Sequence, residues 1–200
     1  MDNICIPAIA KPFEKVSFDQ FKKDMANEYP YFNNDNHIDE LQRIYDDIKL
    51  PTRSTFGAAG YDFYSPFSFK LGPGNAIVIP TGIRVDIDKD WWLMFCPKSG
   101  IGFRHSVRLS NTIGVDDSDY YYSNNEGHIF IKLEMSPVSD FVHREYNEVF
   151  GKELTHNPVS LEIGKGDKFI QGIFLPYGIT TNDLEAEKMI RNGGFGSTGK

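Results

Sequence analysis

Ala76-Ile77-Val78-Ile79-Pro80-Thr81-Gly82-Ile83-Arg84-Val85-Asp86-Ile87-Asp88-Lys89-Asp90-Trp91-Trp92-Leu93-Met94-Phe95-Cys96 contains three short apolar runs, broken by Pro-Thr-Gly and by Asp-Lys-Asp. Each run is too short for a stable helix and rich in β-branched or aromatic side chains, which fit a pleated surface. Strands are therefore predicted at Ala76–Ile79, Ile83–Ile87 and Trp91–Cys96. The same signature extends outward to Gly60–Ser65, His128–Met135, Val159–Ile163 and Lys168–Leu175. Regular short strands with Gly, Pro and Asn between them predict a mainly β domain: a sandwich, a jelly roll or a small barrel.

The chain before Pro51 differs in character. Ser17-Phe18-Asp19-Gln20 has the form of a capping box and predicts a helix running to about Asn27. Residues 30–36 read as a polar connector. A second helix is predicted from near Asn36, with Ile38, Leu41, Ile44 and Ile48 on one face, ending at Pro51. Such a face must be buried on something. The expected organisation is a helical extension over 1–50 and a β domain over 51–200, interrupted by a charged, aromatic insertion at about 136–157 and closed by a mobile C-terminal motif at 191–200.

Two hundred residues with 40% hydrophobic side chains are enough for one domain with an extension. A net charge of −7 argues against a nucleic-acid polymer as partner, which would need a basic face. Cys5 and Cys96 lie far apart in no metal spacing, and read as reduced thiols. Met1 to Ala10 is too short and too weakly apolar for a secretory signal, and no apolar run is long enough to span a membrane. The expectation is a soluble, cytoplasmic protein.

The stretch Arg191 to Lys200 is glycine-rich, with Phe195, Ser197, Thr198 and two cations. Gly194 to Lys200 fits the first seven positions of a P-loop. A P-loop next needs Ser or Thr and a helix to hold phosphates. With Lys200 last, the tail is read instead either as a flap over a nucleotide or as a loose terminus. Four further segments can carry chemistry. Ala59-Gly60-Tyr61-Asp62 sets one carboxylate in an aromatic strand, and Pro97-Lys98-Ser99-Gly100 reads as a turn offering a cation, a hydroxyl and backbone N–H groups. Gly114 to Tyr120 packs three acids and a tyrosine into a hairpin, and Gly166 to Gln171 enters a late strand. Singly, each is more easily a solvated strand or an ordinary loop. Together and in this order they are not independent.

These five segments resemble the five motifs of the homotrimeric dUTP diphosphatases (dUTPases), in that family's order, from Pro51 to Gly199. Pro51 to Thr55 leading into Asp62 matches the family's approach to its first motif, Asn111 to Tyr120 resembles the third, and Gly193 to Gly199 matches the fifth almost letter for letter. The resemblance implies a distorted jelly roll (β-clip), a homotrimer with active sites shared between subunits, and hydrolysis of dUTP to dUMP and pyrophosphate with Mg2+. This is a reaction of nucleotide metabolism that keeps uracil out of DNA. It implies Asp117 as the base acting on the attacking water, and Tyr120 packed under the deoxyribose to exclude UTP. Asn111 and the backbone from Gly114 to Asp117 would read the uracil. Lys98, Ser99, Gly100 and Gln171 would bind phosphates, and Asp62 would reach the metal through water. Arg191, Phe195, Gly196, Ser197 and Thr198 would close over the substrate from a neighbouring subunit.

The chain departs from the family at several points. Lys98 stands where the family has Arg, and loses the planar two-pronged contact. Asp116 replaces an apolar residue beside Asp117, although strand alternation should turn the two apart. The hairpin tip Tyr121 to Gly127 is longer, and Arg191 lies one residue closer to Gly193. Two rivals remain at this stage. One is the related dCTP deaminase, or a bifunctional relative, whose strand after the third motif carries a Glu where this chain has Lys132. The other is a regulatory module on the same fold that grips a protein partner with its added segments.

Overall fold

The computed structural model describes residues 8–137, 160–185 and Gly193. Within them the fold is mainly β and jelly-roll-like. Its largest sheet has four antiparallel strands. β2 (Tyr61–Tyr64), β11 (Lys168–Pro176), β6 (Trp91–Pro97) and β8 (Gly114–Asp117) lie side by side in that order. A second sheet sets β9 (Phe130–Met135) between β4 (Ala76–Pro80) and β7 (Val107–Leu109). Two short pairs complete the ladders: β3 (Phe69–Leu71) with β10 (Leu161–Ile163), and β1 (Glu14–Lys15) with β5 (Ile83–Arg84).

Alternation decides which side chains enter the core. Along β6, Leu93 and Phe95 are buried while Trp92, Met94 and Cys96 are half-buried on the other face. Along β9, Ile131, Leu133 and Met135 are buried. The predicted strand 83–87 is shorter than expected. Its ladder with β1 covers Ile83 and Arg84, and Ile87 meets only Ala10 through an isolated bridge. Both pairings use the N-terminal segment, so residues 83–87 form an edge that residues 10–15 complete.

The helices before Pro51 pack on this framework. α1 (Phe18–Glu28) buries Phe21 and Met25 completely, and each such side chain contributes about 2–3 kcal/mol of apolar burial. Gly82 makes the close packing possible: a Cβ there would lie 2.3 Å from Ile48 Cδ1 and 3.4 Å from the Phe21 ring. α2 (Ile38–Asp46) is shorter than predicted. It ends at Asp46, and Ile48 is buried just beyond the helix by the turn Ile48 N–H to Tyr45 O. Leu41 is buried and Ile44 packs against the core, but Ile38 at the first turn is exposed. The connector expected at 30–36 folds into two 3-10 turns, Pro30–Asn33 and Asp35–His37.

The capping box is only half right. Ser17 Oγ accepts the Gln20 N–H at 3.1 Å, as predicted. The reciprocal bond to the Ser17 N–H comes from the Glu126 carboxylate at 2.8 Å, while the Gln20 side chain donates to Asp24. A charged acceptor from the loop between β8 and β9 outcompetes the local neutral amide. The predicted hairpin there does not form, since β8 pairs with β6 and β9 with β4 and β7. The predicted insertion lies almost wholly outside the described residues.

Candidate active site

Asp62, in β2, is cross-strand partner to Gln171 in β11, which is itself paired with Cys96 in β6. These three lie in a row on one face of the sheet. Lys98, two residues beyond Cys96, returns to that face. The consequence is a compact polar cluster. Asp62 Oδ1 accepts from Lys98 Nζ and Gln171 Nε2, each at 3.1 Å, and Oδ2 accepts from Ser54 Oγ at 2.5 Å. Lys168 Nζ lies 2.8 Å from Oδ2 and donates to Ser54 Oγ at 2.6 Å. Burial alone would raise the Asp62 carboxyl, but the bonds from Lys168, Ser54, Gln171 and Lys98 outweigh it and hold it well below the usual carboxylate range. Asp62 in turn raises Lys168.

Two members of this cluster were not predicted. Ser54 arrives because the extended segment after Pro51 pairs with β2 through a Thr52–Asp62 bridge. Lys168 is three residues from Gln171, which in a regular strand puts the two on opposite faces. A register shift between Lys168 and Ile170 brings both to Asp62.

The segment read as a turn at Lys98-Ser99-Gly100 is the start of a helix, α3 (Ser99–His105). Lys98 is its N-cap, and Ser99 and Gly100 are exposed in its first turn. Next to this, Cys96 is a plain strand thiol, pushed up by burial.

The third predicted segment lies elsewhere. Asn111 and Gly114 line a cavity of about 300 Å³ with Leu109, Phe130, Lys132 and Glu28 from the end of α1. Gly114 sits opposite Phe95, where a Cβ would approach the ring to 3.0 Å, so glycine fixes the depth of this wall. Further along β8, Asp116 pairs with Leu93 and turns inward, 5% exposed. Asp117 pairs with Trp92 and faces outward, as alternation predicts. Tyr120 follows in a 3-10 turn (Tyr120–Tyr122) and is 7% exposed, its hydroxyl donating to His128 O at 2.8 Å.

The register fixes how far apart these groups stand. From Cys96 to Trp92 along β6 is roughly 13 Å, and from β2 across to β8 is three strand spacings, roughly 14 Å. Asp62 and Asp117 are thus about 20 Å apart on the same face of one sheet. Between them that face is apolar, with Met94, Ile173 and Val115, the last 53% exposed.

A metal is not a natural guest of Asp62 alone. Both its oxygens are taken, and among the described residues no three His, Cys, Asp or Glu side chains gather to hold an ion. The donor set does not fit an ion held by protein ligands. It would fit one that arrives already bound to a polyphosphate. The predicted Arg191, Phe195, Gly196, Ser197 and Thr198 lie outside the described residues.

Residues 46–136 match the family model described as dUTPase. The deoxyuridine 5'-triphosphate nucleotidohydrolase of Lactococcus lactis subsp. lactis is 33% identical over 153 residues, covering 76% of this chain and 89% of that protein. The chain belongs to the dUTPase family. Its Methylococcus capsulatus relative of the same name is 30% identical over 164 residues, 79% of this chain and 92% of the relative. The dUTPase fold is shared with the Streptococcus mutans dUTPase, at TM-score 0.52 and 22% identity over 85% of this chain and 98% of that one. It is shared also with a dUTPase from phage phi11 of S. aureus in which a structural Mg(II) ion is coordinated, at TM-score 0.50 and 18% identity over 68% of this chain and 88% of that one.

Proposed function

We propose that this chain hydrolyses dUTP to dUMP and pyrophosphate at a site shared between copies of itself. The observation that carries the reading is the Asp62 cluster. Three separate segments that the family resemblance singles out, at Asp62, Lys98 and Gln171, meet there in direct contact. Breaking the α–β phosphoanhydride needs charge neutralisation, an aligned water and a base. Lys98 and Lys168 supply cations, and Ser99, Gly100 and Gln171 supply hydrogen bonds to phosphate oxygens. Magnesium bound to the triphosphate would spread its negative charge, and Asp62 would hold it through the ion's water shell.

Asp117 takes the proton of the attacking water as the new P–O bond forms and pyrophosphate leaves. Asn111 and Gly114 read the uracil edge in the cavity they line, about 10 Å along β8 from Asp117. Tyr120, anchored from behind, packs under the deoxyribose. Arg191, Phe195, Gly196, Ser197 and Thr198 close the site. Because Asp117 and Asp62 of one chain are about 20 Å apart, no single dUTP can use both. A second copy covering the apolar face between them would bring its own Asp117 to this chain's Asp62, which favours an oligomer with shared sites, a homotrimer by the family resemblance. Lys132 lines the base cavity where a deaminase would carry Glu, and this argues against deamination.

The reading is tested by pyrophosphate release, with magnesium, from dUTP, dCTP, dTTP and UTP in parallel. Release from dUTP alone, abolished in Asp117→Asn, is expected. Equal release from dCTP, or silence on all four, contradicts it.

A further inference from the structure

We propose that the segment from Glu14 to Asp24 positions the Tyr120 loop and thereby sets the discrimination between deoxyribose and ribose, an inference that rests on the dUTPase reading above. The loop from Tyr120 to His128 folds around the Tyr120 hydroxyl. That hydroxyl donates to His128 O at 2.8 Å and accepts from Asn125 Nδ2 at 2.7 Å, and Asn125 is held by Ser123 Oγ at 2.6 Å. The hydroxyl end of the ring is thus held by the Asn125 side chain and the His128 carbonyl.

That backbone is in turn held from the N-terminal side. Glu126 receives the Ser17 N–H at 2.8 Å and the Ser17 hydroxyl at 2.6 Å. Arg84 donates to Glu126 O at 3.3 Å, lies 3.9 Å above the Tyr121 ring and reaches Glu14 at 3.3 Å. The Tyr121 hydroxyl donates to Glu14 as well. Glu126 has φ +58°, a left-handed conformation that a non-glycine residue keeps only when its surroundings hold it there.

His128, fully buried, makes the second tether. Gly82 donates its N–H to His128 Nε2 at 2.7 Å, so the ring proton is on Nδ1 and is given to Asp24 Oδ2 at 2.6 Å. Asp24 and Ser17 belong to α1 and its cap. Glu126 and His128 flank Gly127, and His128 carries the carbonyl that anchors Tyr120. If the ring excludes ribose by contact, its exact placement sets the discrimination, and a misplacement of about 1 Å is enough to change it. Glu126 and Asp24 are positioning residues: neither touches substrate.

The test compares kcat/KM for dUTP and UTP in the full-length protein and in Glu126→Ala, Glu126→Gln and Ser17→Gly. Glu126→Ala is expected to raise the UTP-to-dUTP ratio about tenfold. Glu126→Gln, which keeps an acceptor for the Ser17 N–H but loses the charge, should move the ratio clearly less than Glu126→Ala. Ser17→Gly keeps a tolerated N-cap but removes the hydroxyl donor, and should move the ratio less, in the same direction. It remains informative if Glu126→Ala does not fold. An unmoved ratio in both Glu126→Ala and Ser17→Gly, or an equal loss on both substrates, overturns the inference. Silence of the parent protein on dUTP overturns the functional reading, and the inference with it.

Discussion

At one end of the four-stranded sheet Asp62 is buried and satisfied within its own chain by two ammonium groups, an amide and a hydroxyl. At the other end, about 20 Å away, Asp117 stands on an edge strand and faces outward. The first carboxylate lies buried in a network of ion pairs and hydrogen bonds, and the second lies exposed to solvent. The contrast underlies the proposal that one chain supplies the phosphate end of one site and the base end of another.

The largest effect should come from the outward carboxylate. Asp117→Asn should lower kcat on dUTP by about 10²–10⁴-fold, the usual contribution of a general base, and leave the melting temperature within error of the parent. A large loss of stability would mean that Asp117, like Asp62, is structural.

Asp62→Asn should cost stability as well as activity. Removing the buried charge leaves Lys98 and Lys168 facing each other uncompensated. Both lysines are partly exposed and can turn to water, so the cost is about 2 kcal/mol, not the larger penalty of a fully buried pair. For a chain of this size that is a fall in Tm of about 4–8 °C. Acid sharpens the same point. The folded Asp62 carboxyl gives up its proton more readily than the unfolded one. Its contribution is complete above about pH 4 and is lost as pH falls through the folded value. Thermal melts of the parent should therefore steepen below pH 4, and those of Asp62→Asn should be flatter. Parallel curves would remove Asp62 from the stability argument.

The smallest effect belongs to Lys98. A lysine holds Asp62 at 3.1 Å as a point charge, whereas Lys98→Arg offers a planar fork to phosphate. A rise in kcat/KM for dUTP of about threefold to tenfold is expected, and a fall would show that the phosphate end is shaped for an ammonium.

The reach of the sequence differs between these same regions. Strand alternation was enough to separate Asp116 from Asp117, because one buried neighbour, Leu93, fixes the phase of the whole strand. It could not place Lys168, since a single bulge residue reverses the face. Nor could it foresee α3, whose Ser-Gly-Ile-Gly start has poor helix propensity and is set by the strand that precedes it. The three-residue strands Phe69–Leu71 and Val107–Leu109 are too short to show a period. The Ser17–Glu126 bond spans 109 residues, so a correct local capping pattern named the wrong partner.

The most direct test of a shared site is complementation. Asp117→Asn and Lys98→Ala, each expected to lose most activity when made alone, are co-expressed and the mixed oligomers assayed on dUTP. If one copy's Asp117 serves another's Asp62 and Lys98, some sites in the mixture combine both intact ends, and activity rises well above the sum of the two variants. If each chain carries a complete site, every site in the mixture keeps one defect, and activity stays at that sum.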